Sequence, residues 1–293
     1  METKSEGKEE DTLYASILLR GASSITFQVP WFPVRELSGF ELFKYKLRRR
    51  LRNYTPDWKF LSFRSRTFVK AHRGVRYQEA LSMEFIAQNT TIPVPRVLDV
   101  YTVNGIVHIV QERIPGRVLQ IDWDHLSTEE KQSCMLQIKD FFTQLRSLKP
   151  PHPEHVQSVD GSGLSDNRIE NYIWGPFSSH DEFHKFMHHD VFRQRPHHYP
   201  NLQEPLSKVQ GKKYKSVFCH GDLGPHNIIW NDGKAVFIDW EMAGWFPEYW
   251  DYIRTHEARW WFTSWLDMFK EAVDRYDDEW DVQFAMKGYF AFR

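Results

Sequence analysis

The segment 216–241 constrains the fold more than any other part of this 293-residue chain, because it combines strand, loop and turn signals in a fixed order. Its first apolar residues, Val217–Cys219, predict a short buried strand, and the polar run His220–Asn227 predicts a loop. Two further β-like runs lie within residues 228–238, separated by Asp232-Gly233. An Asp-Gly pair between such runs predicts a hairpin, since both residues tolerate positive φ. The segment therefore predicts a strand, a polar loop and a hairpin in succession.

The predicted hairpin brings two oxygen-bearing side chains together at its open end. With the turn at Asp232-Gly233, residue 227 lies opposite residue 238 or 239, so Asn227 meets Asp239. An amide oxygen and a carboxylate suit Mg²⁺. Asp222, on the preceding loop, lies close enough to orient a hydroxyl and take its proton without touching the metal. Any one of these residues alone could be a turn former. The spaced set predicts phosphoryl transfer, with His220 in a supporting role.

The motif HGDLGPHN at residues 220–227, followed by FIDWE at 237–241, resembles the aminoglycoside phosphotransferase family. Members of that family share a protein-kinase-like fold and include small-molecule kinases such as choline and fructosamine kinases. The resemblance covers roughly residues 66–265. Five further segments resemble the fungal branch of the family: Ile92–Arg96, Glu112–Gly116, Leu145–Leu148, Gly175–Phe177 and Ala243–Trp250. The resemblance implies an α+β, two-lobe fold with a small strand-rich N-lobe and a larger helical C-lobe.

The same resemblance implies a role for each matching residue. Asp222 resembles the catalytic aspartate of the family, and Asn227 and Asp239 resemble its two Mg²⁺ ligands. Lys70, at the end of the β-like run Thr67–Lys70, resembles the lysine that binds the α- and β-phosphates of ATP. An ammonium group is a suitable point charge for phosphate, although a surface lysine at a strand end is the alternative for Lys70 alone.

Two more predictions on cofactor binding follow from the resemblance. Glu79, on the predicted helix Val75–Asn89, resembles the partner that holds the phosphate-binding lysine; Glu84 on the same helix is the alternative. Backbone groups of Glu112 and Ile114 would read the adenine ring. One feature departs from the kinase pattern, because the segment 57–66 before the lysine strand contains no glycine.

A change of character divides the chain near Pro115-Gly116. Before it, β-rich runs dominate, including two joined by Asn104-Gly105, a strong hairpin signal. After it, Ser127–Glu130 fits a capping box and helical spacing follows. We therefore expect a nucleotide-binding lobe over residues 1–114, with 1–12 disordered, and a catalytic and substrate lobe over 115–293.

Charge and composition exclude several classes of protein. The formal net charge is −1, from 38 basic and 39 acidic residues, whereas binding to nucleic acid requires a large basic excess. No window offers about 18 uninterrupted apolar residues, so no membrane span is predicted. The charged N-terminus lacks an apolar signal region, and the two cysteines form no C-x-x-C pair. We therefore expect a cytoplasmic protein with no nucleic-acid or membrane partner; the oligomeric state stays open.

Three other residue sets leave two interpretations each. An aromatic set could form a cage for a cation or be core: Trp245, Tyr249, Trp250, Trp260, Trp261 and Trp265. An acidic set could attract a polyamine or be a solvated helix face: Asp274, Asp277, Asp278, Glu279 and Asp281. A histidine set could bind zinc, although the H-E-x-x-H glutamate is missing: His180, His184, His188 and His189. We favour the interpretations that the aromatic set is core, that the acidic set is a solvated helix face, and that the histidine set binds no metal.

Three functions remain compatible with these patterns. The favoured one is an ATP- and Mg²⁺-dependent small-molecule kinase that moves the γ-phosphate to a hydroxyl or amine, with Asp222 as base. The second is a catalytically weak or inactive nucleotide-binding or scaffold protein, suggested by the glycine-free segment 57–66. The third is a metal hydrolase that uses the histidine-rich stretch.

Overall fold

The computed structural model describes residues 35–54, 66–258 and 263–290. Three of the expectations above lie outside the described residues. They concern the disordered segment 1–12, nearly all of the glycine-free segment before the lysine strand, and the pair Trp260 and Trp261.

A four-stranded sheet forms the N-terminal part of the described chain, with strand order β1-β3-β4-β2. Its strands and the two helices between them are β1 (Arg35–Glu36), α1 (Gly39–Tyr54), β2 (Thr67–Lys70), α2 (Tyr77–Asn89), β3 (Val97–Val103) and β4 (Ile106–Glu112). Strands β3 and β4 are antiparallel neighbours joined by Asn104-Gly105, which adopt φ of 51° and 71°. The predicted hairpin is therefore confirmed, with Asn and Gly in the left-handed conformation that it requires.

Helices dominate the rest of the described chain. Its helices are α3 (Leu119–Asp122), α4 (Thr128–Ser147), α5 (His180–Phe186), α6 (His189–Gln194), α7 (Pro200–Val209), α8 (Trp250–Ala258), α9 (Thr263–Ala272) and α10 (Asp277–Phe290). Its strands are β5 (Arg117–Val118), β6 (Leu164–Asp166), β7 (Glu170–Trp174), β8 (Ser216–Cys219), β9 (Ile228–Asn231), β10 (Lys234–Phe237) and β11 (Gly244–Pro247). Strands β6 and β7 form an antiparallel pair between α4 and α5.

The segment 216–241 folds as predicted, with one correction at its end. Strand β8 is followed by a loop, and β9 pairs with β10 around Asp232-Gly233, both at positive φ. The second strand ends at Phe237, earlier than expected. The Ile238 N–H still donates to the Asn227 carbonyl at 3.0 Å, but Asp239 adopts a φ of 64°. A non-glycine residue in that conformation turns the chain away from the ladder.

The helical part is organised by capping and by aromatic packing. Ser127 and Glu130 form the predicted capping box at the start of α4, which satisfies backbone N–H groups that have no partner within the helix. The aromatic residues Trp245, Tyr249, Trp250 and Trp265 are each 5% exposed or less. Burial removes these rings from solvent, so the core interpretation holds for the members of the aromatic set that the structure describes.

The described chain therefore has the predicted α+β organisation, a strand-rich lobe followed by a larger helical lobe. Strand β4 ends at Glu112, and β5 pairs with β9 of the helical part. The domain boundary between residues 114 and 115 stays a prediction. Among the described helices, none combines the length and the apolar character that crossing a membrane requires.

Candidate active site

Lys70 gathers three carboxylates between the two lobes. Its Nζ lies 3.0 Å from Glu79 Oε2, 2.7 Å from Asp239 Oδ1 and 2.9 Å from Glu241 Oε2. Glu79 comes from the first turn of α2, whereas Asp239 and Glu241 follow β10. Glu84, the alternative partner, instead accepts a hydrogen bond from Gln88. We refer to these four side chains, Lys70, Glu79, Asp239 and Glu241, as the lysine cluster.

Burial and charge act against each other in the lysine cluster. The Glu79 side chain is 1% exposed, and this burial raises the pKa of its carboxyl to about 7, although Lys70 opposes the shift. Burial lowers the pKa of Lys70, but the carboxylates of Glu79 and Asp239 outweigh it and raise that pKa. Lys70 therefore stays charged, and it is not the surface lysine of the alternative interpretation.

Asp222 is held on both carboxylate oxygens. Arg168 Nη1 donates to Asp222 Oδ1 at 2.6 Å, and His226 Nε2 lies 3.1 Å from Oδ2. Asn227 Nδ2 donates to the same Oδ2 at 3.1 Å and to the Asp222 carbonyl at 2.9 Å. Burial raises the pKa of Asp222, but the hydrogen bond to His226 and the charge of Arg168 lower it well below its usual range. Asp222 is thus an oriented, ionised carboxylate.

The backbone of the loop that carries Asp222 is fixed by helix α8. Asp251, in its first turn, accepts hydrogen bonds from the N–H groups of His220 and Gly221 at 3.0 and 2.8 Å. His220 is 1% exposed, and its Nε2 lies 3.0 Å from the Ile238 carbonyl. A Cβ on Gly221 would lie only 2.3 Å from the Met242 carbonyl oxygen, so the two chain segments meet where only glycine fits. His220 contacts the backbone and not the Asp222 carboxylate, in keeping with a supporting role.

Asn227 connects the two groups of charged residues. Its side chain contacts Asp222, and its backbone carbonyl receives the N–H of the residue before Asp239. Asn227 thus contacts Asp222 directly and is linked through its backbone to Ile238, the residue before Asp239; the joint role of the three residues stays a prediction. The Asn227 amide nitrogen makes the contacts to Asp222, so its amide oxygen takes no part in them.

Carboxylate oxygens that could bind a divalent cation converge around Lys70. Among the described residues, Glu79, Asp239 and Glu241 have carboxylate oxygens within 4.8 Å of one another. The Lys70 ammonium group contacts all three, and it lies 3.0 Å from Glu79 Oε2. Carboxylate and amide oxygens are the donors that Mg²⁺ prefers, so this donor set fits the ion that the sequence predicts.

The predicted adenine-reading segment lies at the end of β4. The Glu112 N–H donates to the Arg96 carbonyl at 2.8 Å. That N–H is therefore used within the fold, and the role of Glu112 in adenine binding stays a prediction. Ile114 lies two residues beyond β4, and its role stays a prediction.

Sequence reasoning missed several residues that complete the site. Glu241 and His226 lie inside the quoted motifs, and only their roles went unrecognised. Arg168 and Asp251 contact the 220–222 loop from 54 and about 30 residues away. No local pattern marks such partners, because only the fold brings them near Asp222.

Among the described residues, no three members of the histidine set bring ring nitrogens within reach of one ion. The Nε2 atoms of His180 and His184 lie 2.8 Å from the hydroxyls of Ser216 and Tyr249. The rings of His184 and His189 are parallel within 4° with centroids 5.1 Å apart. Burial lowers the pKa of His184 to about 4 and that of His189 to about 3, so both rings are neutral. We refer to these two residues as the histidine pair.

The acidic set is paired within the chain. Asp278 and Glu279 each lie 2.9 Å from Lys212 Nζ. Tyr214 also donates to Glu279 at 2.8 Å. Glu279 is 7% exposed, so this residue is not part of a solvated face, and its charge is already compensated without a polyamine.

Comparison with known proteins places this geometry in a wider context. A model of APH, the phosphotransferase enzyme family, matches residues 61–286, which is well over half of the chain. No sequence of a curated protein matches significantly.

Two solved structures resemble the fold. A thermostable mutant of aminoglycoside phosphotransferase APH(4)-Ia in its apo form is 12% identical with a TM-score of 0.50, covering 77% of this chain and 82% of its own. A candidate fructosamine-3-kinase from Haemophilus somnus 129PT is 15% identical with a TM-score of 0.50, covering 78% of this chain and 79% of its own. At these identities the likeness concerns the fold alone, and it confirms the predicted protein-kinase-like, two-lobe architecture.

Proposed function

We propose that this chain, which belongs to the phosphotransferase enzyme family, moves the γ-phosphate of ATP to a hydroxyl or amine of a small molecule. One observation carries the proposal. Asn227 contacts Asp222 with its side chain, and its backbone carbonyl accepts a hydrogen bond from Ile238, the residue before Asp239. A carboxylate that can face an acceptor therefore lies next to oxygen ligands that can face a phosphate.

Asp222 serves as the catalytic base in this proposal. Its carboxylate is ionised and oriented, so it can accept a hydrogen bond from the acceptor and take the proton as the new bond forms. Because phosphoryl transfer depends mainly on positioning and on neutralising charge, a strongly basic group is not needed. His220 supports the loop through the Ile238 carbonyl.

Lys70 and Asp239 serve the nucleotide side. Lys70 binds the α- and β-phosphates, and Glu79 aims its ammonium group. Asp239 and Asn227 would hold Mg²⁺, with Glu241 offering a third oxygen ligand close by. When bound, Mg²⁺ supplies positive charge that neutralises the phosphate oxygens. The Glu112 carbonyl and the Ile114 backbone would bind adenine.

The remaining sequence predictions are also part of this proposal. We place the nucleotide-binding lobe in residues 1–114 and the catalytic and substrate lobe in residues 115–293. The quoted segments support membership of the fungal branch, and the near-neutral charge and the two free, buried cysteines support a cytoplasmic location.

The test measures γ-phosphate transfer from Mg²⁺-ATP across a panel of amino alcohols, sugars and aminoglycosides. Wild-type protein is compared with Asp222→Asn. We expect at least one acceptor to be phosphorylated by the wild type and none at a comparable rate by the variant. A parallel thermal-shift series with ATP plus Mg²⁺ or ATP plus EDTA reports binding. Binding without any transfer would contradict the kinase proposal and favour the inactive nucleotide-binding protein.

A further inference from the structure

Five charged side chains of alternating sign run from helix α8 to the catalytic loop. Arg254 pairs with Glu257 and lies 2.9 Å from Asp166 Oδ2. Arg168 binds both Asp166 oxygens, through Nε and Nη2 at 2.8 Å each, and its Nη1 reaches Asp222 Oδ1 at 2.6 Å. Asp166, Arg168 and Arg254 lie outside the motifs quoted for the family. We refer to these five residues as the charged chain.

The charged chain is buried at one end and accessible at the other. The side chains of Arg254 and Asp166 are 0% and 4% exposed, whereas those of Arg168 and Asp222 are 25% and 21% exposed. Arg254 contacts two carboxylates, Asp166 and Glu257, and Asp166 also contacts Arg168, so displacement of any one of these side chains would break an ion pair. The inner residues thus give Arg168 a rigid support, and its outer edge faces the accessible carboxylate.

Arg168 has little freedom to move away from Asp222. Its Nη2 also donates to the Gly221 carbonyl at 2.8 Å, one residue before Asp222. The guanidinium group therefore contacts the carboxylate and the backbone of the same loop. A planar group with donors on several edges can make these contacts together, whereas the single ammonium of lysine cannot.

We propose that Arg168 is the positioning residue for Asp222, fixing the direction in which the carboxylate meets the phosphate acceptor. Arg168 occupies Oδ1, while His226 and Asn227 occupy Oδ2. Rotation of the carboxylate would break contacts on both oxygens. This inference rests on the proposed role of Asp222, but it concerns a different residue and has its own test.

A structural role alone does not account for the Asp222 contact. Asp166 has a second, fully buried cation in Arg254, so its charge stays compensated without Arg168. The Asp222 contact adds nothing to that compensation. We therefore expect Arg168 to affect turnover more than nucleotide binding.

The test compares Arg168→Lys and Arg168→Gln with wild type, using Mg²⁺-ATP and an acceptor that the wild type phosphorylates. We expect kcat to fall by roughly 10- to 100-fold in both variants, because small displacements of a catalytic group have effects of that size. The KM and Kd for ATP should stay unchanged. Arg193→Lys is the matched control, since Arg193 forms an ion pair with Asp190 on α6, and its kcat should equal that of the wild type.

A double-mutant cycle separates action through Asp222 from other effects. In an Asp222→Asn background, adding Arg168→Lys should not lower the residual turnover further. Wild-type kcat in both single variants, or additive losses in the cycle, would overturn the inference.

If the wild-type protein phosphorylates no acceptor, that result contradicts the proposed function but does not by itself contradict this inference. Crystal structures of wild type and Arg168→Gln then decide. An Asp222 side chain that leaves its position in Arg168→Gln supports the inference, and one that keeps its place overturns it. If Arg168→Gln fails to fold, the structure of Arg168→Lys is judged in the same way.

Discussion

The lysine cluster, Asp222 and Arg168, together called the cleft residues, differ from the histidine pair in how opposite charges compensate the burial of titratable side chains. In the cleft, Lys70 and Arg168 each face carboxylates within 3.1 Å, so the charges persist. In the histidine pair, no such partner offsets burial, and both imidazoles are neutral.

This difference shows what separates a chemical site from a packed cluster. Burial alone favours the neutral form of a titratable group, which suits packing. Retaining charge at low exposure requires opposite charges and hydrogen bonds at fixed positions. The cleft meets that requirement with residues from both lobes. In the histidine pair, His184 contacts the Tyr249 hydroxyl at 2.8 Å, but the charges of Asp181 and Asp190 do not outweigh burial.

The largest effect should come from Asp222→Asn, which removes the proposed base while keeping its shape. We expect kcat to fall by about 10²–10⁴-fold, the usual contribution of a general base. Mg²⁺-ATP binding should persist, because Asp222 does not belong to the lysine cluster. Calorimetry and steady-state kinetics on the same preparation check both statements. Loss of nucleotide binding in this variant would mean that Asp222, and not Asp239, is the metal ligand.

Asp239→Asn should lose binding as well as turnover. Removing a residue that only contacts a metal ligand lowers metal affinity by roughly 10–100-fold. Asp239 is proposed as a direct ligand, so its loss should have an effect at least as large. We therefore expect Mg²⁺-ATP affinity to fall by about 100-fold. Calorimetry at several Mg²⁺ concentrations measures the loss. Asn is close in size to Asp, so the fold should survive, and unchanged affinity would show that the carboxylate is not a ligand.

Lys70→Ala should weaken ATP binding by about 1.5–3 kcal/mol, the value of one charge-assisted contact. Unlike a strand-end lysine on the surface, Lys70 also compensates buried Glu79. The variant should therefore unfold at lower denaturant concentration as well. Lys70→Ala combined with Glu79→Gln is the control, because it removes the uncompensated buried charge. Stability should recover in the double variant while ATP binding stays weak.

The histidine pair should affect stability alone, and at neutral pH, where both rings are uncharged, it should leave turnover and ATP binding unchanged. Its folded pKa values lie below the ordinary value of 6.5, so the unfolded chain takes up protons first on acidification. The pair's contribution to the free energy of unfolding is complete above pH 6.5 and is lost as pH falls toward about 4 and 3. The slope is at most about 1.4 kcal/mol per pH unit for each residue.

A single substitution isolates this pH effect. His189→Phe keeps an aromatic ring but cannot be protonated, so the acid-side slope should flatten when unfolding is followed from pH 7 to pH 4. Exposed His197 provides the matched control in His197→Phe, whose slope should equal that of the wild type. An unchanged slope in His189→Phe would show that this ring is not buried in the neutral form.

The sequence predicted the parts of the molecule that depend on neighbours along the chain. The hairpins at Asn104-Gly105 and Asp232-Gly233 and the capping box at Ser127 are local, and all three are present. The Lys70–Glu79 contact was predicted from resemblance, and the structure brings the two together. The charged chain was not predicted, because Arg254 lies 88 residues from Asp166 and Asp222 lies 54 residues from Arg168, so these partners meet only in the folded protein.

The spacing of the cleft residues along the chain also bears on the order in which the site can assemble during folding. Asn227 and Asp239 are 12 residues apart and meet through one hairpin, whereas Lys70 and Asp239 are 169 residues apart. Closing the longer loop costs about 2 kcal/mol more in chain entropy. The hairpin can therefore form early from local contacts, while the lysine cluster must wait for long-range docking, which slows folding. The hairpin end that carries Asn227 can thus form before the lysine cluster that completes the nucleotide side of the site.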